Sequence, residues 1–268
     1  MAPFYDSVAR SRTGSGLIHE KPVEPVGPGL ASPFSGGGRI RAVLFDLDGT
    51  LYRQGPIRTL MALELLTLPL YGPVRATARW KALRAYRGAQ EHLRDRPAPN
   101  QAATQLECAA AAAGLSPTET ETLVDEWMQR RPLKYLRFWR APGLDDLLAL
   151  LARSGVLAGL LSDYPANMKI AALGLAGRFD PVLCSTDPAI GALKPHPRGF
   201  LRACALWKLP PREVLMVGDR PEVDAAGAHA AGMPCVIIGR GGRRTRSHPT
   251  YLTVSSFERL TRVLDDRR

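Results

Sequence analysis

Four short apolar runs, each ending on a polar residue or a glycine, constrain this chain more than any other feature. Ala42-Val43-Leu44-Phe45 runs into Asp46, Val156 to Leu161 into Ser162-Asp163, Val214 to Val217 into Gly218-Asp219, and Cys235 to Ile238 into Gly239. Runs this short, without polar alternation, fit strands buried on both faces, as in a parallel sheet. Helical patterns lie between them. Leu144 to Arg153 places leucines at helical spacing, and Gly155 follows as a stop. Pro197 to Trp207 and Glu222 to Ala231 behave alike, the latter ending at Gly232. Strand alternating with helix predicts an α/β fold with a doubly wound, Rossmann-like parallel sheet.

Residues 57–140 interrupt the alternation and read as four or five helices inserted after the first strand. Ser116-Pro117-Thr118-Glu119 marks a helix start, with Ser116 as N-cap, Pro117 in the first turn and Glu119 reaching back. Residues 1–38, rich in Gly, Pro and Ser, read as a flexible arm. The expected organisation is therefore that arm, a Rossmann-like core of residues 39–56 and 141–240, the helical insertion 57–140, and a basic strand and helix over 241–268 completing the core.

Apolar residues make up 45% of the chain, which excludes wholesale disorder. Cys108, Cys184, Cys204 and Cys235 are far apart and lack metal-ligand spacing, as expected of reduced thiols. No apolar run approaches the ~18–20 residues that span a bilayer. The first 30 residues also lack the apolar stretch of a secretory signal. A cytoplasmic protein is expected, with peripheral membrane association as a variant. The net charge of +11 is localised: residues 52–140 carry fourteen basic and eight acidic groups, residues 239–268 eight and three, and the remainder balances. Such a field suits an anionic partner, a phosphorylated substrate or an acidic membrane surface, or else is a solvated helical face. No nucleic-acid reader motif accompanies it, so no nucleic acid is expected as partner.

In a doubly wound sheet, ligands bind at the carboxyl ends of the strands near the topological switch point. Asp46, Ser162 and Asp219 end the apolar runs, with Asp48 and Asp224 close behind. Gathered carboxylates repel one another unless a cation joins them. An all-oxygen site left open for phosphate oxygens favours Mg²⁺ over Ca²⁺.

Asp46-Leu47-Asp48-Gly49-Thr50 after an apolar strand resembles the first motif of the haloacid dehalogenase superfamily of phosphohydrolases. Ser162 resembles its second motif, Lys194 in Lys194-Pro195-His196-Pro197 its third, and Gly218-Asp219-Arg220-Pro221-Glu222-Val223-Asp224 its fourth. The similarity covers roughly residues 39–240, and the order of all four motifs is specific where one alone is not. It is nearest the phosphoglycolate-phosphatase-like group, whose helical cap is inserted after the first motif, as 57–140 is here.

The resemblance implies a Mg²⁺-dependent phosphatase acting on a small phosphate monoester through an aspartyl-phosphate. Asp46 would be the nucleophile and Asp48 the acid and then base. The metal would be held by Asp46, the backbone carbonyl of Asp48, and Asp219, with Asp224 completing or orienting the site. Ser162 and the Asp163 N–H would hold phosphoryl oxygens, and Lys194 would neutralise charge on the transferring group. Asp163 stands where many relatives have Asn. Its charge beside a phosphate requires a cation to pair with it, or a side chain that points away.

Within the cap, Leu60 to Leu70 is nearly all apolar, and Arg75, Arg79, Lys81, Arg84 and Arg87 follow. An apolar helix leading into a basic one suits a lipid-like or prenyl phosphate or an anionic lipid surface; the alternative is the cap's own core. A phosphomutase shares the motifs, and a catalytically silent binding module shares the fold, although intact Asp46, Asp48, Lys194 and Asp219 argue against the latter. Dehalogenation attacks carbon and has no use for the acid at Asp48.

Overall fold

The computed structural model describes residues 29–34, 38–67, 73–96, 98, 100–239 and 246–265. Two short strands come first, β1 (Leu30–Ala31) and β2 (Arg39–Ile40), paired antiparallel with Leu30 opposite Ile40. Both side chains are buried. This corrects the expectation of a free arm to residue 38: burying Leu30 holds the segment down despite its glycines. The rest of the expected arm, residues 1–28 and 35–37, lies outside the described residues.

Strand β3 (Ala42–Phe45) leads to Asp46. Five α-helices follow among the described residues, α1 (Gln54–Leu65), α2 (Pro73–Asp95), α3 (Gln101–Ala113), α4 (Pro117–Val124) and α5 (Leu133–Leu136), with a π-helical turn (Asp125–Arg130) and a 3-10 turn (Arg137–Trp139) beside α5. The Ser116 hydroxyl accepts from the Glu119 N–H at 3.2 Å, and Glu119 accepts from the Ser116 N–H at 3.1 Å, so the two satisfy each other's helix-start donors. The insertion enters and leaves through one neck. Arg53 N–H donates to Trp139 O at 2.7 Å, Ala141 N–H donates to Leu51 O at 2.9 Å, and Tyr52 bridges Arg140 in antiparallel fashion.

Beyond the neck come α6 (Leu144–Arg153), β4 (Leu157–Ser162), α7 (Asn167–Ala172), β5 (Val182–Cys184), α8 (Arg198–Trp207), β6 (Val214–Gly218), α9 (Ala226–Ala231), β7 (Cys235–Ile238), β8 (Arg246–Ser247), β9 (Leu252–Val254) and α10 (Phe257–Asp265). The sheet order is β5-β4-β3-β6-β7-β9-β8, parallel except for β8. From β3 the chain winds outward through β4 and β5 on one side, then through β6 and β7 on the other, which makes β3 the switch point. Sequence periodicity overlooked β5, an edge strand of three residues whose Val182 is exposed, because an edge needs no apolar run.

Register delivers the site. Phe45 lies beside Leu160 and Val217, so Ser162 and Asp219 leave the sheet one residue beyond Asp46. Strand alternation divides the interior into two cores. Val43, Phe45, Leu160 and Val217 face one, while Ala42, Leu44, Leu161 and Met216 face the other. The first core continues into the helical insertion through Ile57, Met61, Tyr86 and Trp127. Fully buried Phe45 anchors it, and truncating such a ring to Ala costs ~3–5 kcal/mol.

Candidate active site

Asp46 emerges from β3 with its N–H bonded to Val217 O at 2.9 Å, which pins the backbone at the strand end. Its Oδ2 accepts from the Thr50 hydroxyl at 2.9 Å, and its Oδ1 takes the Lys194 ammonium at 2.5 Å. The turn between Asp46 and Thr50 requires Gly49. At φ +104° a side chain is strained, and a Cβ there would lie 2.2 Å from Asp219 Oδ2.

Lys194 also donates to Asp224 Oδ1 at 2.8 Å. The other oxygen of Asp224 accepts the N–H groups of Asp219 and Arg220 at 3.2 and 3.1 Å, so both of its oxygens are engaged. Asp219 differs: its Oδ1 is buried without a hydrogen-bond partner. Asp46, Asp219 and Asp224 each bring an oxygen within 4.8 Å of the others. Three carboxylates face one ammonium, and the strain shows in the proton affinities of Asp46 and Asp219. Burial, with the charges of Asp224 and Asp219 and against that of Lys194, pushes Asp46 up to about 8. Burial and Asp224 push Asp219 up to about 6. Lys194 moves up too, because Asp224, Asp46 and Asp163 outweigh its burial. A divalent cation bound by oxygen fits this set, since it would supply the missing charge and a partner for Asp219 Oδ1.

The Asp48 carboxylate turns away from this trio. Lys169 on α7 grips it at 2.7 and 2.9 Å, and the Tyr52 hydroxyl donates to the same Oδ1. Burial alone would raise its pKa, but Lys169 and Tyr52 outweigh burial and hold it below the ordinary carboxylate range. Any Asp48 share in a metal site must therefore run through its backbone, as the resemblance implied.

Ser162 and Asp163 are buried at the end of β4. Ser162 Oγ accepts weakly from the Tyr164 N–H at 3.4 Å. The Asp163 carboxylate has its own partners. Oδ2 pairs with Arg94 on α2 at 2.5 Å, and Oδ1 accepts from the Lys194 N–H at 3.1 Å. Arg94 also donates to the Lys194 carbonyl. The cation required beside Asp163 is thus Arg94, reaching from the helical insertion to clamp the second motif to the third.

These groups form the floor of a cavity of about 290 Å³, whose other wall includes Ile57, Tyr86, Arg87 and Trp127 of the insertion. All the sequence-derived residues, Asp46, Asp48, Ser162, Asp163, Lys194, Asp219 and Asp224, line it. Sequence reasoning missed Lys169, Arg94 and Tyr52. The one available signal was Arg94's place on the helical face shared with Arg87, Gln90 and Glu91. In the Leu60 to Leu70 stretch, Met61 is buried against the cavity while Leu63 and Leu66 are 57% and 75% exposed, so this part is neither wholly core nor wholly surface. Leu68 to Leu70 lie outside the described residues.

Known proteins resemble this chain in sequence and in fold. The phosphoserine phosphatase of Thermus thermophilus is 34% identical over 134 residues, 49% of this chain and 51% of that protein, so the chain matches only about half of that relative's length. The phosphoglycolate phosphatase of Yersinia pseudotuberculosis is 29% identical over 210 residues, 75% of this chain and 82% of that protein. The crystal structure of a HAD phosphatase from Thermococcus onnurineus superposes with a TM-score of 0.58 at 25% identity, covering 85% of this chain and 100% of that one. The profile of the haloacid dehalogenase-like hydrolases matches residues 40–232. The chain belongs to the haloacid dehalogenase-like hydrolase family.

Proposed function

We propose that the protein is a Mg²⁺-dependent phosphatase that hydrolyses a small phosphate monoester through an aspartyl-phosphate on Asp46. The observation that carries this is Asp46 itself: a carboxylate at the switch point, braced by Thr50 and Lys194, beside the unpartnered oxygen of Asp219. Mg²⁺ held by Asp46, Asp219 and the Asp48 carbonyl would keep Asp46 ionised and draw charge from the phosphoryl oxygens. Asp224, with both oxygens engaged, orients Lys194 and the Asp219 backbone. Asp46 attacks phosphorus, and Ser162, the Asp163 N–H and Lys194 receive the oxygens of the transferring group. Asp48 protonates the departing oxygen, then takes a proton from the water that cleaves the aspartyl-phosphate. Lys169 favours its basic form for the second step. For the first step, the negative phosphate beside Asp48 raises its proton affinity.

The insertion serves as the cap, shielding the crevice from water. The small cavity and the relatives named phosphoserine phosphatase and phosphoglycolate phosphatase support a compact substrate. The test is a panel of phosphate esters with Mg²⁺ and with chelator. Turnover should need the metal and return on its addition; metal-independent hydrolysis by pure protein would overturn the reading.

A second reading has one observation behind it. Leu63 and Leu66 present apolar surface at the end of the helix that precedes the basic one in sequence, as a peripheral contact with anionic lipid would require. Among the described residues no helix is long and apolar enough to cross a membrane. Sedimentation with anionic liposomes at low and high salt tests this: binding that salt weakens supports it, and no binding at either salt removes it.

A further inference from the structure

Six cationic side chains line the cavity, and four have acidic partners. Lys194 holds Asp46 and Asp224, Lys169 holds Asp48, Arg94 holds Asp163, and Arg220 holds Glu91 and Glu222. The other two are Arg58 on α1 and Arg87 on α2, and no carboxylate among the described residues pairs with either. Helical spacing offers Arg87 an acid four residues on, Glu91, but that side chain is turned to Arg94 and Arg220. The nearest acid ahead of Arg58 on its own helix, Glu64, is held by Arg131, Lys134 and Tyr135. Both guanidinium groups belong to exposed residues at the cavity's mouth, yet burial and the charge of Arg58 lower the pKa of Arg87. Two like charges lining one cavity are unfavourable until an anion lies between them.

Other basic residues of the insertion do not share this placement. Arg79, Lys81 and Arg84 are absent from the cavity wall, and Arg84 lies over the exposed ring of Trp80 at 5.5 Å. On the proposed reading of the floor, Lys194 and Ser162 take the phosphoryl oxygens, and the acidic trio serves the attack and the metal. Arg58 and Arg87 are therefore left for a different part of the same molecule.

We propose that Arg58 and Arg87 form a second anion site at the mouth of the crevice, selecting phosphate esters whose leaving group ends in a carboxylate or a second phosphate. The inference rests on the phosphatase reading of the floor and names the substrate class for it. A planar guanidinium pairs with either anion through two parallel hydrogen bonds, so the arrangement recognises negative charge on a short tail. A cavity of about 290 Å³ holds only a short spacer between the two anions.

The test compares three esters of one chain length on the full protein with Mg²⁺: an ω-carboxyalkyl phosphate, the ω-hydroxyalkyl phosphate, and the alkyl bisphosphate. Wild-type kcat/KM should favour one or both of the charged-tail esters over the hydroxyl ester by about tenfold or more, and which of them leads distinguishes carboxylate from phosphate. The double variant R58Q/R87Q should bring that ratio close to one. Because a ratio is read, a general loss of activity or folded protein cancels. R87K should restore part of the preference, and added salt should reduce it in the wild type, since the site lies at the exposed mouth. Turnover of all three esters with no preference, or a preference that survives R58Q/R87Q, overturns this inference and leaves the phosphatase reading standing. No turnover of any ester overturns both.

Discussion

On the floor of the cavity Asp46, Asp48, Asp163 and Asp224 each face a cation, whereas on the opposite wall Arg58 and Arg87 have no acidic partner among the described residues. The floor is assembled before anything binds: apart from the open oxygen of Asp219 its acids are paired, and Asp46, Ser162 and Asp219 are set by strand ends. That is what chemistry needs, because groups already oriented cost no reorganisation in the transition state. The other wall is built of helices, carries the surplus positive charge and leaves part of it open. Recognition gains from that openness, because an anion arriving there meets unspent hydrogen-bond donors. Among the described residues, Arg94 is the cation of the inserted helices that pairs with an acid of the floor.

The contrast is most sharply tested at the floor. Asp46→Asn should leave folding intact, since the change is nearly isosteric, and lower kcat by ~10⁴-fold or more, as expected for a nucleophile acting with its partners. Near-wild-type turnover in that variant would remove the mechanism. Arg94 offers the next largest effect. Arg94→Met strands a buried carboxylate at Asp163, a loss on the order of 3–5 kcal/mol in stability. Asp163→Asn should cost less, because an amide oxygen still accepts from the Lys194 N–H. If the double variant melts no higher than Arg94→Met alone, the two walls are not joined by this pair.

Smaller effects separate Asp219 from Asp224. Asp219→Ala removes the oxygen left open for a cation and should weaken Mg²⁺ binding ~10–100-fold by calorimetry. Asp224→Ala acts through Lys194 and the Asp219 backbone and should weaken it less. Equal losses would make Asp224 a ligand. The last effect is one of pH. Asp46 and Asp219 have folded pKa values raised to about 8 and about 6, so the folded state binds protons more tightly than the unfolded chain. Without metal, the stability they confer is present at low pH and lost as pH rises through those values. Mg²⁺ competes with the same protons, so its apparent affinity should rise by up to ~tenfold per pH unit for each proton displaced, levelling above about pH 8. A melting-temperature gain from Mg²⁺ that is flat with pH would show these acids to be already ionised.

The same contrast decides what was legible in the sequence. Asp46, Ser162 and Asp219 end strands, and a buried parallel strand announces itself by its apolar run. Asp224 follows such a run within its motif, whereas Lys194 was reached only through the resemblance of Lys194-Pro195-His196-Pro197. The pairs Arg94–Asp163 and Lys169–Asp48 span 69 and 121 residues, and nothing local to either partner encodes the meeting. Which face of α1 and α2 looks into the crevice depended likewise on how the helices pack. Hence the basic excess of residues 52–140 was visible as a sum, while the placement of Arg58 and Arg87 within it was not. The buried ribbon β1–β2 escaped because two-residue strands leave no periodicity to read.

The neck through which the insertion joins the sheet has an engineering consequence. Because Arg53 bonds Trp139 and Leu51 bonds Ala141, the two crossings of the chain lie side by side, one strand spacing apart. Whatever is spliced between them must bring its ends to that one short gap, offer a cation to Asp163 and present an apolar face to the shared core; its length and fold are otherwise open. A segment of different size and surface could therefore be exchanged as a cassette while the crevice floor keeps its register. Grafting a foreign helical segment between Arg53 and Trp139 should change which esters are accepted and leave the attacking carboxylate where it is.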